Sequence, residues 1–137
     1  MDAIQEITRK FDELELHYRV TQGKNSDVIR ISMGSDSGAK MDYVIFPSGE
    51  RSDVSVRVYG VVKVPENKHE ALVKVCNELN RRFRYAKFCI DSDRDVNMEY
   101  DITRNNGALG ETVVEIISRF QNIVKEAYPQ MMRAIWS

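Results

Sequence analysis

The stretch from His69 to Ile102 constrains the fold more than any other part of the chain. Its first part carries apolar residues at the spacing of an amphipathic helix, about 3.6 residues per turn. These residues are Leu72, Val75, Cys76, Leu79 and Phe83. Two strand-like runs follow, at 85–90 and 96–102, with a polar turn at 92–95 between them. The second run alternates apolar and polar residues as a half-buried strand does. The stretch therefore predicts a helix followed by a β-hairpin.

The remaining patterns complete an α-β-β-β-α-β-β-α order. Residues 3–17 predict an amphipathic helix, and the runs 28–33, 41–46 and 54–59 predict strands joined by turns at 35–38 and 47–50. Gly60 predicts a β-bulge, and Asn67 followed by Glu70 predicts a helix-capping box. The sheet should end at 105–107, before a helix over 109–127 that Pro129 breaks or sharply kinks and a short helix over 130–136. This order predicts an α+β fold: a five-stranded antiparallel sheet with helices on one face.

Size and charge exclude several classes of protein. A chain of 137 residues suits one domain, spanning 1–137, and its net charge of −1 gives no general attraction to nucleic acid or acidic membranes. No apolar run approaches the roughly 20 residues that a membrane-spanning helix needs. The first residues are acidic and amphipathic, unlike a signal peptide. We expect a cytoplasmic protein without a membrane or nucleic-acid partner.

Five short motifs resemble those of a known family. They are Val64-Pro65-Glu66-Asn67, Asn77-Glu78-Leu79-Asn80-Arg81, Phe88, Met98-Glu99-Tyr100-Asp101-Ile102 and Ala127-Tyr128-Pro129-Gln130-Met131-Met132. In this order and spacing they resemble the YbjN-like family of proposed bacterial sensory transduction regulators, over residues 25–136. The resemblance implies a fold similar to type III secretion chaperones and a regulatory or chaperone-like role. It supplies no catalytic residue.

The aspartates of the predicted hairpin turn resemble the start of a calcium loop. Asp91, Asp93 and Asp95 have the right spacing, but the sixth position is Val96 and the twelfth is Ile102. A calcium loop needs glycine and glutamate at those two positions. We interpret this segment as a solvated turn, and we expect no metal site.

The histidines and cysteines give no sign of catalysis. His17 and His69 stand alone, without acidic or cysteine neighbours at ligand spacing. We interpret Cys76 and Cys89 as small buried apolar residues, and the alternative is that they form a redox pair. No phosphate-binding loop or nucleophile motif occurs in the chain. We therefore predict a protein that is not an enzyme and that needs no cofactor.

The predicted second helix carries two asparagines and an arginine cluster. Asn77 and Asn80 lie three residues apart on the same side, and asparagine is a poor residue for a helix interior. They predict hydrogen bonds to backbone groups where the helix meets the first three strands. Arg81, Arg82 and Arg84 suit the negative end of the helix dipole. The alternative is that all five residues bind a small molecule or nucleotide.

The sheet face opposite the helices is the predicted binding surface. It should carry Val44, Phe46, Tyr59 and Val61, where a one-sided antiparallel sheet would place polar residues. Exposed apolar patches often mark partner surfaces. We therefore predict a protein- or peptide-binding module, acting as a homodimer. The alternative is that the segment 130–136 folds over this face and covers it.

Overall fold

The computed structural model describes residues 2–47, 53–103 and 108–137. The helices are α1 (Ala3–Glu13), α2 (His69–Arg82) and α3 (Leu109–Trp136). The strands are β1 (Arg19–Gln22), β2 (Asp27–Gly34), β3 (Lys40–Pro47), β4 (Val54–Lys63), β5 (Lys87–Ile90) and β6 (Asp95–Ile102). The predicted turn at 105–107 and most of the one at 47–50 lie outside the described residues.

The strands form one antiparallel sheet in the order β1-β2-β3-β4-β6-β5. On its inner face, neighbouring strands pair Ile29 with Ile45, Ile45 with Val56, and Val58 with Met98. These residues join Phe120 of α3 in one buried core. The predicted α+β class with an antiparallel sheet is confirmed, and the predicted number of five strands is wrong.

The sixth strand, β1, was not predicted, and it follows a first helix that is shorter than the predicted one over 3–17. Helix α1 ends at Glu13, because the chain reverses through Glu15, whose φ is 57°, and the Leu16 N–H donates to the Phe11 carbonyl at 2.9 Å. The freed segment then pairs with β2, placing Val20 opposite Ile29. A strand of four residues is too short for its alternation to stand out in the sequence.

Pro129 does not break the last helix. α3 continues through it to Trp136. Proline inside a helix removes one backbone hydrogen bond and costs roughly 3 kcal/mol. Buried residues on both sides of it, Val124, Ala127 and Met131, keep the segment packed against the core. Tertiary packing thus overrides the local signal.

The predicted capping box at the start of α2 is also absent. A 3₁₀ turn occupies Glu66–Lys68, and α2 begins after it with Lys68 at the N-cap position and no side-chain cap bond. Asn67 is therefore part of the turn and does not cap the helix.

The bulge predicted at Gly60 is confirmed. Val58 pairs with Met98 and Val62 pairs with Val96, so three residues of β4 lie between these pairs where β6 has one. Gly60 has a φ of 68°, which glycine adopts without strain. The bulge lies between Val58 and Val62, near the end of β4.

Candidate functional site

The outer face of the sheet, opposite the helices, carries a row of mostly charged side chains. Successive strands place Arg30, Val44, Arg57, Glu99 and Lys87 side by side in the register of the sheet. Their neighbours along each strand point inward to the core. The outer face is therefore mixed in character, with positive charge toward β2 and on β5 and negative charge on β6.

An aromatic pair lies above the middle of this row. Phe46 and Tyr59 lie on opposite sides of the paired Val44 and Arg57, and their ring centroids are 6.5 Å apart at an interplanar angle of 82°. The rings must lean toward each other across Val44, which is only 5% exposed. Tyr59 is 50% exposed and Phe46 is partly exposed. Of the predicted contact residues, these two are the accessible ones.

Arg57 is the residue of this face that sequence analysis missed. Its guanidinium donates to Asp101 Oδ1 at 2.8 Å and to two backbone carbonyls, and its Nε lies 3.7 Å from Glu99 Oε2. Burial opposes ionisation of Asp101, but hydrogen bonds from Ser55 and Arg57 outweigh it and lower its pKa. The network fixes the charges of the face in place. An arginine in an alternating strand gives no sequence signal for such a role.

Val61 is not on the outer face. It is 7% exposed and belongs to the core beside the bulge, so its predicted placement is wrong. Val61 lies between Val58 and Val62, where the register with β6 shifts, so alternation does not determine which way its side chain points. The C-terminal end of α3 lies near Val61, where Trp136 and Val61 line the same groove. Lys68 Nζ donates to the Ser137 carbonyl there.

Asn80 hydrogen-bonds to backbone groups as predicted, but at a different strand. Its Nδ2 donates to the Phe88 carbonyl at 3.0 Å, and its Oδ1 accepts from the Phe88 N–H at 2.7 Å. Both bonds lie on the side of β5 that faces away from β6, so the side chain occupies the edge of the sheet. Asn77 is exposed on the same helix. The two asparagines therefore do not act on a shared neighbour.

The arginine cluster is only partly brought together. Arg82 and Arg84 line a cavity of about 300 Å³ with Arg119 of α3 and Tyr85. Arg82 pairs with Glu126 at 2.8 Å, and the Arg119 guanidinium lies 4.1 Å from the Tyr85 ring centroid. The residues that line this cavity do not include Arg81 or either asparagine. The ligand set expected from the sequence is therefore not assembled.

The turn before β6 is held by one carboxylate. Asp91 Oδ1 accepts from the backbone N–H groups of Asp93 and Asp95, at 2.9 and 3.0 Å. Its Oδ2 accepts from Asn97 Nδ2 at 2.8 Å, and Asn97 Oδ1 accepts from the Gly60 N–H at 2.9 Å. Asn97 is 5% exposed and thus links the turn to the bulge. The segment is a turn, as predicted, and the carboxylate of Asp91 holds it by hydrogen bonds.

These bonds make the stability of the turn depend on pH. The Asp95 backbone N–H, and then Asn97, lower the pKa of Asp91. The stabilisation is complete above the unfolded carboxyl pKa of about 3.9 and is lost as the pH falls through the lower folded value. Asp91→Asn mimics the protonated acid, so its melting temperature should lie below that of the wild type at neutral pH. The difference in melting temperature between the two proteins should disappear in acid. A difference that does not change with pH would contradict this account.

The remaining candidates for chemistry differ in their exposure. Cys76 is buried, and burial raises its pKa to about 11, whereas Cys89 is exposed, contrary to prediction. His17 and His69 are exposed. Among residues 2–47, 53–103 and 108–137, no group of three metal-ligating side chains comes together. No helix within those ranges is long and apolar enough to cross a membrane.

Comparison with known proteins identifies the family. The family model of YbjN, described as "Putative bacterial sensory transduction regulator", matches residues 7–133. The crystal structure of YbjN from E. coli, described as "a putative transcription regulator", has a similar fold, with a TM-score of 0.63 and 10% identity. The similarity covers 92% of this chain and 91% of that one. No curated protein matches significantly. Since the family match spans most of the sequence, this chain belongs to the YbjN family.

Proposed function

We propose that this protein is a regulatory, non-enzymatic binding module that docks a protein through the outer face of its sheet. The observation that carries the proposal is the accessible pair of Phe46 and Tyr59, set on a face that the helices leave uncovered. Aromatic residues are enriched in the centres of protein interfaces. The description of the family as a regulator agrees with this role. Similarity to type III secretion chaperones stays a prediction, and with it a chaperone-like form of this role.

The face is a better docking surface than the two edges of the sheet. At the β5 edge, the Asn80 amide already bonds both backbone groups of Phe88. At the other edge, β1 has only four residues. Addition of a peptide strand needs a row of unpaired backbone groups. These edges offer few of them, which favours docking on the face.

We propose a second copy of this chain as the partner. The row across the face includes Arg30 on β2 and Glu99 on β6, and it ends at Arg19 on β1 and Lys87 on β5. A two-fold axis along the strands, between β3 and β4, would set Arg30 of one copy opposite Glu99 of the other. Symmetric pairs of this kind are the commonest assemblies. Asp101 would add negative charge on the same side.

Substitution in the aromatic pair tests the proposal. We expect Phe46→Asp and Tyr59→Asp each to raise the dimer dissociation constant about 10- to 30-fold, because a buried carboxylate would replace an interface ring. Analytical ultracentrifugation over a concentration series measures this constant. Circular dichroism should be unchanged, since both residues lie outside the core.

A matched control uses another exposed apolar residue. Val73 lies on α2, away from the outer face, and is 46% exposed. Val73→Asp should leave the dissociation constant unchanged. A wild-type protein that stays monomeric at high concentration, or equal weakening by all three variants, would refute the proposed dimer.

A further inference from the structure

We propose that the groove between the end of β4 and the end of α3 binds an anionic amphipathic molecule, a carboxylate with an apolar body. This groove is separate from the outer face, and the inference does not depend on the proposed dimer. The groove has a volume of about 680 Å³. Small-molecule sites typically measure roughly 300–1,000 Å³, so it is large enough for such a ligand.

The apolar part of the groove comes from two elements. The bulged end of β4 contributes Val61 and Val64, and the last turns of α3 contribute Met132, Ile135 and Trp136. Val61 and Val64 are buried, whereas Trp136 is 80% exposed. A large indole left this exposed can cover the apolar body of a bound molecule. The lining therefore suits an aliphatic or aromatic group.

The charged part of the groove is entirely basic. Lys63, Lys68 and Arg94 line it, and no aspartate or glutamate does so among the described residues. Three cations around one opening attract an anion. The sign of the ligand charge follows from this lining, even though the whole chain carries a net charge of −1.

Two of these cations can contact a ligand at a small cost in free energy, because their present contacts are weak or leave donors free. Arg94 Nη1 lies 3.9 Å from a carboxylate oxygen of Glu66, whose side chain is 94% exposed, so this pair is weak. Lys68 donates to the Ser137 carbonyl and has two further N–H donors. Lys63 is held more firmly, by the Asp93 carbonyl at 2.6 Å and Asp95 Oδ1 at 3.4 Å. Lys68 and Arg94 are therefore the expected carboxylate contacts.

The groove contains its own reporter. Trp136 is the single tryptophan of the chain, so tryptophan fluorescence reports on this site alone. We expect octanoate, added below its micelle-forming concentration, to shift the emission of Trp136 to shorter wavelength in a saturable manner. Calorimetry under the same conditions should give the same dissociation constant. 1-Octanol, with the same carbon chain and no charge, should bind at least about tenfold more weakly.

Three variants locate the ligand. Lys68→Gln and Arg94→Gln should each weaken octanoate binding about tenfold, because each removes a charge-assisted hydrogen bond. Ile135→Glu places a negative charge within the groove and should abolish binding. Arg81→Gln, at an exposed arginine outside the lining, should bind like the wild type.

Three results would overturn the proposal. Equal affinity for octanoate and octanol would overturn the assignment of an anionic ligand. The absence of both a fluorescence shift and heat of binding would overturn the site itself. Weakening by Arg81→Gln equal to that by Arg94→Gln would mean that general surface charge is responsible, and would also overturn it.

Discussion

Replacement of Asn80 by alanine should lower the free energy of unfolding by about 2–4 kcal/mol. The side chain makes two hydrogen bonds to the backbone of Phe88, at 2.7 and 3.0 Å. Removal of a partner from a buried backbone group costs about 1–3 kcal/mol, and here a donor and an acceptor both lose theirs. Phe88 itself is buried in the core. Urea denaturation followed by circular dichroism measures the change.

Asn77→Ala is the matched control. Asn77 is exposed on the same helix, three residues earlier, so its loss should leave stability unchanged or raise it by a few tenths of a kcal/mol through better helix propensity. If Asn80→Ala proved as stable as Asn77→Ala, water would have replaced the amide, and the proposed protection of the β5 edge would be wrong.

The fold could be predicted where periodicity is strong over many residues. The helix at 69–82 and the alternating strand at 95–102 follow from patterns that only one secondary structure satisfies. β1 was not predicted because a strand of four residues is too short to show a regular alternation of apolar and polar residues. The prediction at Pro129 was wrong because the local cost of a proline in a helix, about 3 kcal/mol, is smaller than the free energy that a long helix gains by packing against the core.

The candidate site could be predicted only in part, because alternation fails within the bulge of β4. Simple alternation along β3 and β4 puts Phe46 and Tyr59 on the outer face. Val61 lies between Val58 and Val62, where the register with β6 shifts, and alternation does not determine which way its side chain points. Asn97 is polar and alternates as a surface residue does, yet it is buried because it binds the Gly60 N–H.

The bulge therefore connects the two surfaces to which we assign binding. Tyr59 belongs to the outer face and Val61 to the groove, with Gly60 alone between them. The Gly60 N–H is fixed by Asn97, and Asn97 is fixed by Asp91. One hydrogen-bonded chain thus sets the geometry of both surfaces, so a change that loosens it should affect both.

Gly110→Ala should destabilise the protein by about 1–3 kcal/mol, although alanine normally stabilises a helix relative to glycine by about 1 kcal/mol. Gly110 lies in the first turn of α3, against α1. A Cβ atom there would lie 2.7 Å from the Glu6 carbonyl oxygen and 2.8 Å from Lys10 Cβ. Neither atom is the end of a flexible side chain, so α1 must move away from α3.

Gly34→Ala separates this clash from the general effect of losing a glycine. A Cβ at Gly34 would meet nothing within 4 Å, so we expect stability to stay within about 0.5 kcal/mol of the wild type or to increase. Denaturation midpoints compare the two variants, and hydrogen exchange should locate the damage of Gly110→Ala in α1, whose buried Ile7 and Phe11 lose their packing. If both alanine variants were equally stable, the close contact between α1 and α3 would not constrain the fold, because a clash and an open site would then have the same effect.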